Sequence, residues 1–213
     1  MNARSHAELL LPDVSRETWD SADRLIQILL KWQPRINLVS ASTLSDAWTR
    51  HVVDSLQLVQ AAPTAKAWVD LGSGAGFPGL LIAAALDSAD VHLVESDQRK
   101  CAFLREAARA MGVTVRIHSM RIEACYGDLP AQIDVVSARA LAPLPKLLSL
   151  AAPILENGAK GVFPKGRDAE AELTAAREYW NIEAGLMPSI SDPHARVVVV
   201  SSLSPRPVQQ SGG

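Results

Sequence analysis

The chain is poor in cysteine: among 213 residues only Cys101 and Cys125 occur. Two thiols are too few for a disulfide framework and are not spaced as a zinc site, so both are read as reduced packing residues and no metal is expected. Long apolar runs are missing as well. The longest strictly apolar stretch, residues 80–86, is far too short to cross a bilayer, and the opening residues lack the basic region and apolar core of a secretory signal. A cytoplasmic protein with no membrane contact is expected. Neither sign of charge dominates. The 21 Lys and Arg against 23 Asp and Glu leave a net charge of -2, a balance that by itself argues weakly against a nucleic-acid partner, because phosphates call for clustered cations. The distribution is more informative than the total. Residues 99–121 hold six cations, Arg99, Lys100, Arg105, Arg109, Arg116 and Arg121, against the single acid Glu106, although a solvated helix face is the better reading for any one of them.

What is present is the composition of one globular core with a modest extension: 48% hydrophobic and 21% charged residues, 12 Gly and 13 Pro. Apolar residues at Trp19, Ala22, Ile26, Leu29 and Leu30 recur at three-and-four spacing and predict a helix over 15–33, stopped by Pro34. Residues 37–40 read as an extended link and 46–59 as more helix, so 1–63 is expected to form a helical cap. From 64 onward short apolar runs at 67–71, 91–95, 113–117, 133–137 and 161–165 alternate with amphipathic stretches. That alternation predicts a parallel sheet with helices on both faces. Runs at 182–187 and 196–201 have no helix between them and read as a terminal hairpin, which makes one strand antiparallel. The expected fold is α/β and Rossmann-like, with a seven-stranded, mostly parallel sheet over 64–203. Residues 204–213, rich in Pro, Gln, Ser and Gly, are expected to be a disordered tail.

The most informative segment is VDLGSGAGFPG at 69–79, where the first strand should turn into the first sheet helix. Glycines at 72, 74 and 76 let the backbone turn tightly and approach a ligand. Pro78 suits the first helical turn. The same letters satisfy G-x-G-x-x-G, so a nicotinamide dinucleotide is one candidate ligand. Against it stands Asp70, whose carboxylate would repel a pyrophosphate seated on the helix N-terminus. S-adenosylmethionine carries no phosphate and is cationic at ammonium and sulfonium, so an acid beside the turn is tolerated. Glu95, at the end of the second strand, is placed to accept hydrogen bonds from ribose hydroxyls. Asn37, Arg50, His51 and Asp54 form a second constellation. On an α-helix Arg50 and Asp54 share a face, so an internal ion pair is as good a reading as substrate contact.

The run DLGSGAGFPG, with NLVS at 37–40, RHVVDSL at 50–56, SARALAPL at 137–144 and PKG at 164–166, resembles the RsmG family, also called glucose-inhibited division protein B. Its members are bacterial methyltransferases that make 7-methylguanosine in the 530 loop of 16S rRNA, at position 527 in conventional rRNA numbering. The resemblance covers roughly residues 32–166 in order and spacing. It implies an S-adenosylmethionine-dependent methyltransferase in which Gly72, Gly74, Gly76 and Phe77 hold the methionine part of the cofactor, Glu95 the ribose, and Ile122 with Glu123 the adenine edge. It also implies that Arg139 lines the site near the donor, and Arg139 is our candidate catalytic residue, with Asn37, Arg50, His51 and Lys165 as candidate contacts to the RNA. A monomer acting on 16S rRNA or the small ribosomal subunit is the expected partner arrangement. Guanine N7 offers an in-plane lone pair and no proton, so neither a base nor a cysteine nucleophile is required. Catalysis then reduces to holding the reacting atoms in line, and Arg is a natural partner for the guanine O6. The rivals are a methyltransferase of another RNA site or a small molecule, a nicotinamide-dependent oxidoreductase, and a non-enzymatic RNA-binding factor.

Overall fold

The computed structural model describes residues 2–206. Two helices, α1 (Ala3–Leu10) and α2 (Arg16–Trp32), open the chain. Asn2 and Ser15 cap them, each side chain accepting from the backbone N–H three residues on, which satisfies a donor the helix leaves orphaned. Arg4, which also pairs with Glu8 one turn on in α1, ties the two helices together through Asp20 and Asp23. The predicted helix at 15–33 is therefore present with Ser15 as its cap. The predicted helix at 46–59 is also present, but not as one regular α-helix. After the short α3 (Ala41–Leu44) comes a π-helical turn at Trp48–Val53, then α4 (Asp54–Leu56) and a 3₁₀ segment at Gln57–Ala61. Nearly every residue from 51 to 58 is buried. A segment surrounded by protein has no single apolar face, so the 3.6-residue period is lost and tertiary packing sets the winding.

The remaining elements alternate as expected: β1 (Ala67–Leu71), α5 (Gly79–Ala85), β2 (Asp90–Val94), α6 (Gln98–Met111), β3 (Arg116–His118), α7 (Ile122–Cys125), β4 (Val135–Ser137), α8 (Leu144–Leu155), β5 (Lys160–Lys165), α9 (Ala169–Ala176), β6 (Trp180–Pro188) and β7 (Arg196–Pro205). The seven strands form one sheet in the order β3-β2-β1-β4-β5-β7-β6. The first five are parallel, and β7 lies between β5 and β6, antiparallel to both. β3 starts three residues later than the apolar run at 113–117 suggests. Gly112 closes α6 in the left-handed region and the Val113 N–H donates back to the Ala108 carbonyl, so Val113 belongs to the helix end rather than the strand. Pro78 stands at the N-cap of α5, one residue before its first turn. Ser204 and Pro205, expected in the tail, belong to β7; tail residues 207–213 lie outside the described residues.

Alternate strand residues face opposite sides and build two cores. On one side Trp68, Val91, Leu93, Val135 and Val162 pack with Leu80, Phe103 and Leu104, and with Trp19, Leu25 and Leu29 of α2. On the other, Val69, Val136, Phe163 and Val198 pack with Leu147, Leu148 and Leu173. The helical cap thus shares the first core with α5 and α6, and Trp32 meets Phe103 edge-on at 5.9 Å between centroids. Cys101 and Cys125 are both buried and unpaired with each other. Burial pushes the Cys125 thiol up to about 11, the state of a packing residue.

Candidate active site

The parallel strands end together, and the loops after β1, β2, β3 and β4 converge there. The Gly72 and Ser73 N–H groups both donate to the Val94 carbonyl at 2.9 and 3.0 Å, which folds the glycine turn over the end of β2. All three turn glycines have positive φ, 69° at Gly72, 54° at Gly74 and 80° at Gly76. Their surroundings differ. A Cβ on Gly72 would meet Leu141 Cδ1 at 2.7 Å and one on Gly76 would meet Leu80 Cδ1 at 2.4 Å, whereas one on Gly74 would find only the Gly72 carbonyl oxygen at 3.7 Å. Gly74 therefore faces open space. Glu95 fixes the turn from the side: its carboxylate accepts from Gly74 N at 3.0 Å and from Asp97 N at 2.8 Å. Asp97 in turn caps α6.

Gly72, Gly74, Glu95, Ile122, Glu123 and Arg139 all line a groove of about 370 Å³. Two residues expected there lie behind it. Gly76 packs against Leu80 and Leu104, and Phe77 is buried against the His51–Arg139 pair, with the His51 ring stacked on it at 5.1 Å and the Arg139 guanidinium 5.4 Å from its centroid. Asp70 is also not a groove residue. It is fully buried, accepts from Ser137 Oγ at 2.9 Å and Gly79 N at 3.3 Å, and burial pushes its carboxyl up to about 6. Trp68 Nε1 donates to the same Ser137 hydroxyl at 2.9 Å. Asp70 braces β1 against β4 and the start of α5, so its charge does not bear on the choice of cofactor as expected from sequence.

A second cavity of about 330 Å³ is lined by Thr43, Arg50, His51, Asp54, Lys165 and Asp192, among others, and Arg139 and Ala140 belong to both walls. Arg139 is the hub. Its Nη1 donates to the Arg50 carbonyl at 3.0 Å and to His51 Nδ1 at 2.8 Å, and lies 3.7 Å from Asp54 Oδ2. The following residue, Ala140, has a φ of 54°, a strained value for a residue with a Cβ and one that recurs where a loop is held for function. The Thr43 hydroxyl gives its only hydrogen to the Ser40 carbonyl, so it accepts from His51 Nε2 at 3.0 Å. Together with Nδ1 accepting from Arg139, this fixes the neutral Nε2–H tautomer. Burial and the neighbouring Arg139 and Arg50 push His51 down to about 4. Burial raises Asp54 above the usual carboxylate range despite Arg139, and its Oδ1 accepts from Ser191 Oγ and Gln57 Nε2, both at 2.9 Å. Burial likewise lowers Arg139, while Asp54 and Asp70 oppose the shift.

Arg50 does not pair with Asp54 as an α-helix would allow. The π-helical turn aims it at Asp192, 3.3 Å away in the loop between β6 and β7. Lys165 reaches the cavity wall, but its ammonium donates to Glu172 at 2.7 Å and to the Ala142 carbonyl at 2.8 Å. Asn37 is exposed in the link after α2 and lines neither cavity. Ser191 and Asp192 were not legible in the sequence, because they reach the site only through the terminal hairpin. Asp54 within RHVVDSL and Arg139 within SARALAPL were both visible, but their pairing was not. Among the described residues no cluster of three or more His, Cys, Asp or Glu is arranged for a metal ion, and no helix is long and apolar enough to cross a membrane.

The groove suits S-adenosylmethionine on its own geometry: a glycine with open space in front of it, a strand-end carboxylate beside it, and Ile122 with Glu123 on the far wall. Comparison with known proteins agrees. The family model of GidB, rRNA small subunit methyltransferase G, matches residues 19–197. Ribosomal RNA small subunit methyltransferase G of Methylobacterium nodulans is 54% identical over 195 residues, 90% of this chain and 92% of the relative. The protein of the same name from a Bradyrhizobium strain is 48% identical over 92% of this chain and 90% of its own. Among solved structures, the O-methyltransferase TomG from Streptomyces achromogenes in complex with SAM superposes with a TM-score of 0.60 at 14% identity, over 93% of this chain and 95% of that one. An O-methyltransferase from Bacillus cereus in complex with SAH gives 0.58 at 12% identity, over 84% and 90%. The fold is thus that of the methyltransferases, and with half of its residues shared over nine-tenths of its length the chain belongs to the rRNA small subunit methyltransferase G family.

Proposed function

We propose that the protein transfers the methyl group of S-adenosylmethionine to N7 of a guanine in the 530 loop of 16S rRNA, at position 527 in conventional rRNA numbering. The observation that carries this reading is the wall shared by the two cavities. Arg139 and Ala140 line both, so a donor in one and an acceptor in the other meet at that wall. When bound, S-adenosylmethionine supplies a methyl group activated by its sulfonium. The residues around the acceptor cavity are poorly equipped to remove a proton. His51 is neutral with both ring nitrogens engaged, and Asp54 is spent on Arg139, Ser191 and Gln57. An acceptor with a lone pair and no proton to lose, as at guanine N7, fits such a site.

Arg139 is a half-buried cation with donors at the shared wall, suited to hold O6 or a phosphate beside the reacting nitrogen, and the exposed Arg50 lines the same cavity. On this reading His51, Asp54 and Phe77 position the guanidinium rather than touch the substrate. Gly72, Gly74, Glu95, Ile122 and Glu123 hold the cofactor. The test is to incubate purified protein and cofactor with small subunits lacking the modification and to map the methyl by mass and by the chemical lability of 7-methylguanosine. One new methyl on a 530-loop guanine, sensitive to strand scission, is the expected product, and Arg139→Ala should lower its yield about a hundredfold or more while cofactor affinity stays within a few-fold. A methyl on another atom, or none, refutes the assignment.

A further inference from the structure

The cations of the two cavities are treated differently. Around the acceptor cavity each has a carboxylate: Arg50 has Asp192, Arg139 has Asp54 and Lys165 has Glu172. Around the cofactor groove Lys100, Arg121 and Lys146 line the walls from α6, the loop before α7 and α8. Among the described residues, no carboxylate lies within salt-bridge reach of any of these three. Arg121 and Lys146 are exposed and Lys100 is half-buried. The acid nearest the turn, Glu95, already accepts from two backbone N–H groups.

Three unpartnered cations are the wrong rim for the cofactor alone. S-adenosylmethionine has a carboxylate, an ammonium and a sulfonium, hence a net positive charge and no phosphate. Glu95 and Glu123 line the same groove, but the four cations Lys100, Arg121, Arg139 and Lys146 outnumber them, so the lining is net cationic and repels the cofactor, if weakly through solvent. A ligand that gains from these side chains is an anion lying across the groove mouth. We propose that Lys100, Arg121 and Lys146 form a cradle for the phosphodiester backbone of the substrate RNA, so that bound RNA covers the loaded cofactor groove. The consequence is an order of events: cofactor enters before RNA, and the demethylated cofactor leaves after it. The cradle rests on the reading of an RNA substrate, but its test reads binding only, so a methyl mapped to a different RNA atom would sink the proposed reaction and leave the cradle standing.

The experiment compares wild type with Lys100→Ala, Arg121→Ala, Lys146→Ala and the triple variant. Titration calorimetry with S-adenosylmethionine, without RNA, should give affinities within about twofold of wild type or slightly tighter, which also shows the variants folded. Binding to purified small subunits across a salt series should weaken, with the slope of log K against log salt shallower by roughly 0.7 to 0.9 for each cation removed, while Arg121→Lys retains the wild-type slope. Release of radiolabelled S-adenosylhomocysteine should slow when subunits are bound to the wild type and be unaffected by them in the triple variant. Loss of cofactor affinity without RNA, an unchanged salt slope, or release from the wild type that ignores bound subunits overturns the proposal.

Discussion

Gly74 and Gly76 stand in one turn with the same sign of φ, yet the space in front of them is opposite in character. A side chain on Gly74 enters the cofactor groove, and one on Gly76 enters Leu80 and Leu104. Gly74→Val should therefore lower cofactor affinity at least tenfold in a protein that still folds. Gly76→Val should cost about 3 kcal/mol or more of stability, from overpacking plus a left-handed backbone; calorimetric titration and urea unfolding separate the two. Equal behaviour of the variants would contradict the geometry. The sequence displays the three glycines but not the leucines in front of Gly72 and Gly76, which is why all three looked like ligand contacts. His51 offers a second test at this scale. Its folded value near 4 lies below the usual 6.5, so the unfolded chain binds the extra proton first, and the native state loses stability as pH falls from about 6.5 towards 4. Asp70, raised to about 6, acts with the opposite sign over part of that window. A difference measurement isolates the histidine: between pH 7 and 5 wild type should lose about 2 kcal/mol relative to His51→Gln. Parallel pH profiles for the two proteins would mean that His51 is not held neutral.

Elements carry the site where single residues cannot. The π-helical turn at Trp48–Val53 sends Arg50 to the loop between β6 and β7 and points His51 and Asp54 at Arg139. An α-helix over the same residues would have put Arg50 and Asp54 on one face. Periodicity made the sheet, its hairpin and α2 readable because each has one buried face or a strictly buried run. It missed the change of winding within 46–59, where residues 51–58 are nearly all buried, and the start of β3, where a helix end took Val113. β1, β4 and α5 are joined by the chain Trp68, Ser137, Asp70 and Gly79. Asp70→Asn leaves one acceptor where two are used and puts an amide donor against another donor. It should cost about 1 to 3 kcal/mol in urea unfolding. Wild-type stability in that variant would show that the brace contributes little.

At the scale of the whole molecule, the helical cap and the sheet share one core, and the hairpin loop is tied back to the cap by Ser191 to Asp54 and by the Ile190 N–H to Gln57 Oε1 at 2.8 Å. Three distant stretches thereby enclose one cavity. This was the least legible part of the sequence: the family motifs cover the cap and the sheet, but the hairpin loop carries no local sign that it closes the site. The net charge of -2 is likewise a poor guide, because many carboxylates are spent on ion pairs while the cofactor rim stays cationic. In the proposed reaction the acceptor is methylated without a general base. Its direct test is the single-turnover rate of methyl transfer, with cofactor and subunits saturating, measured between about pH 6.5 and 8.5. A flat profile is expected. A rate that climbs tenfold per pH unit before levelling would reveal a group that must lose a proton, and would contradict it.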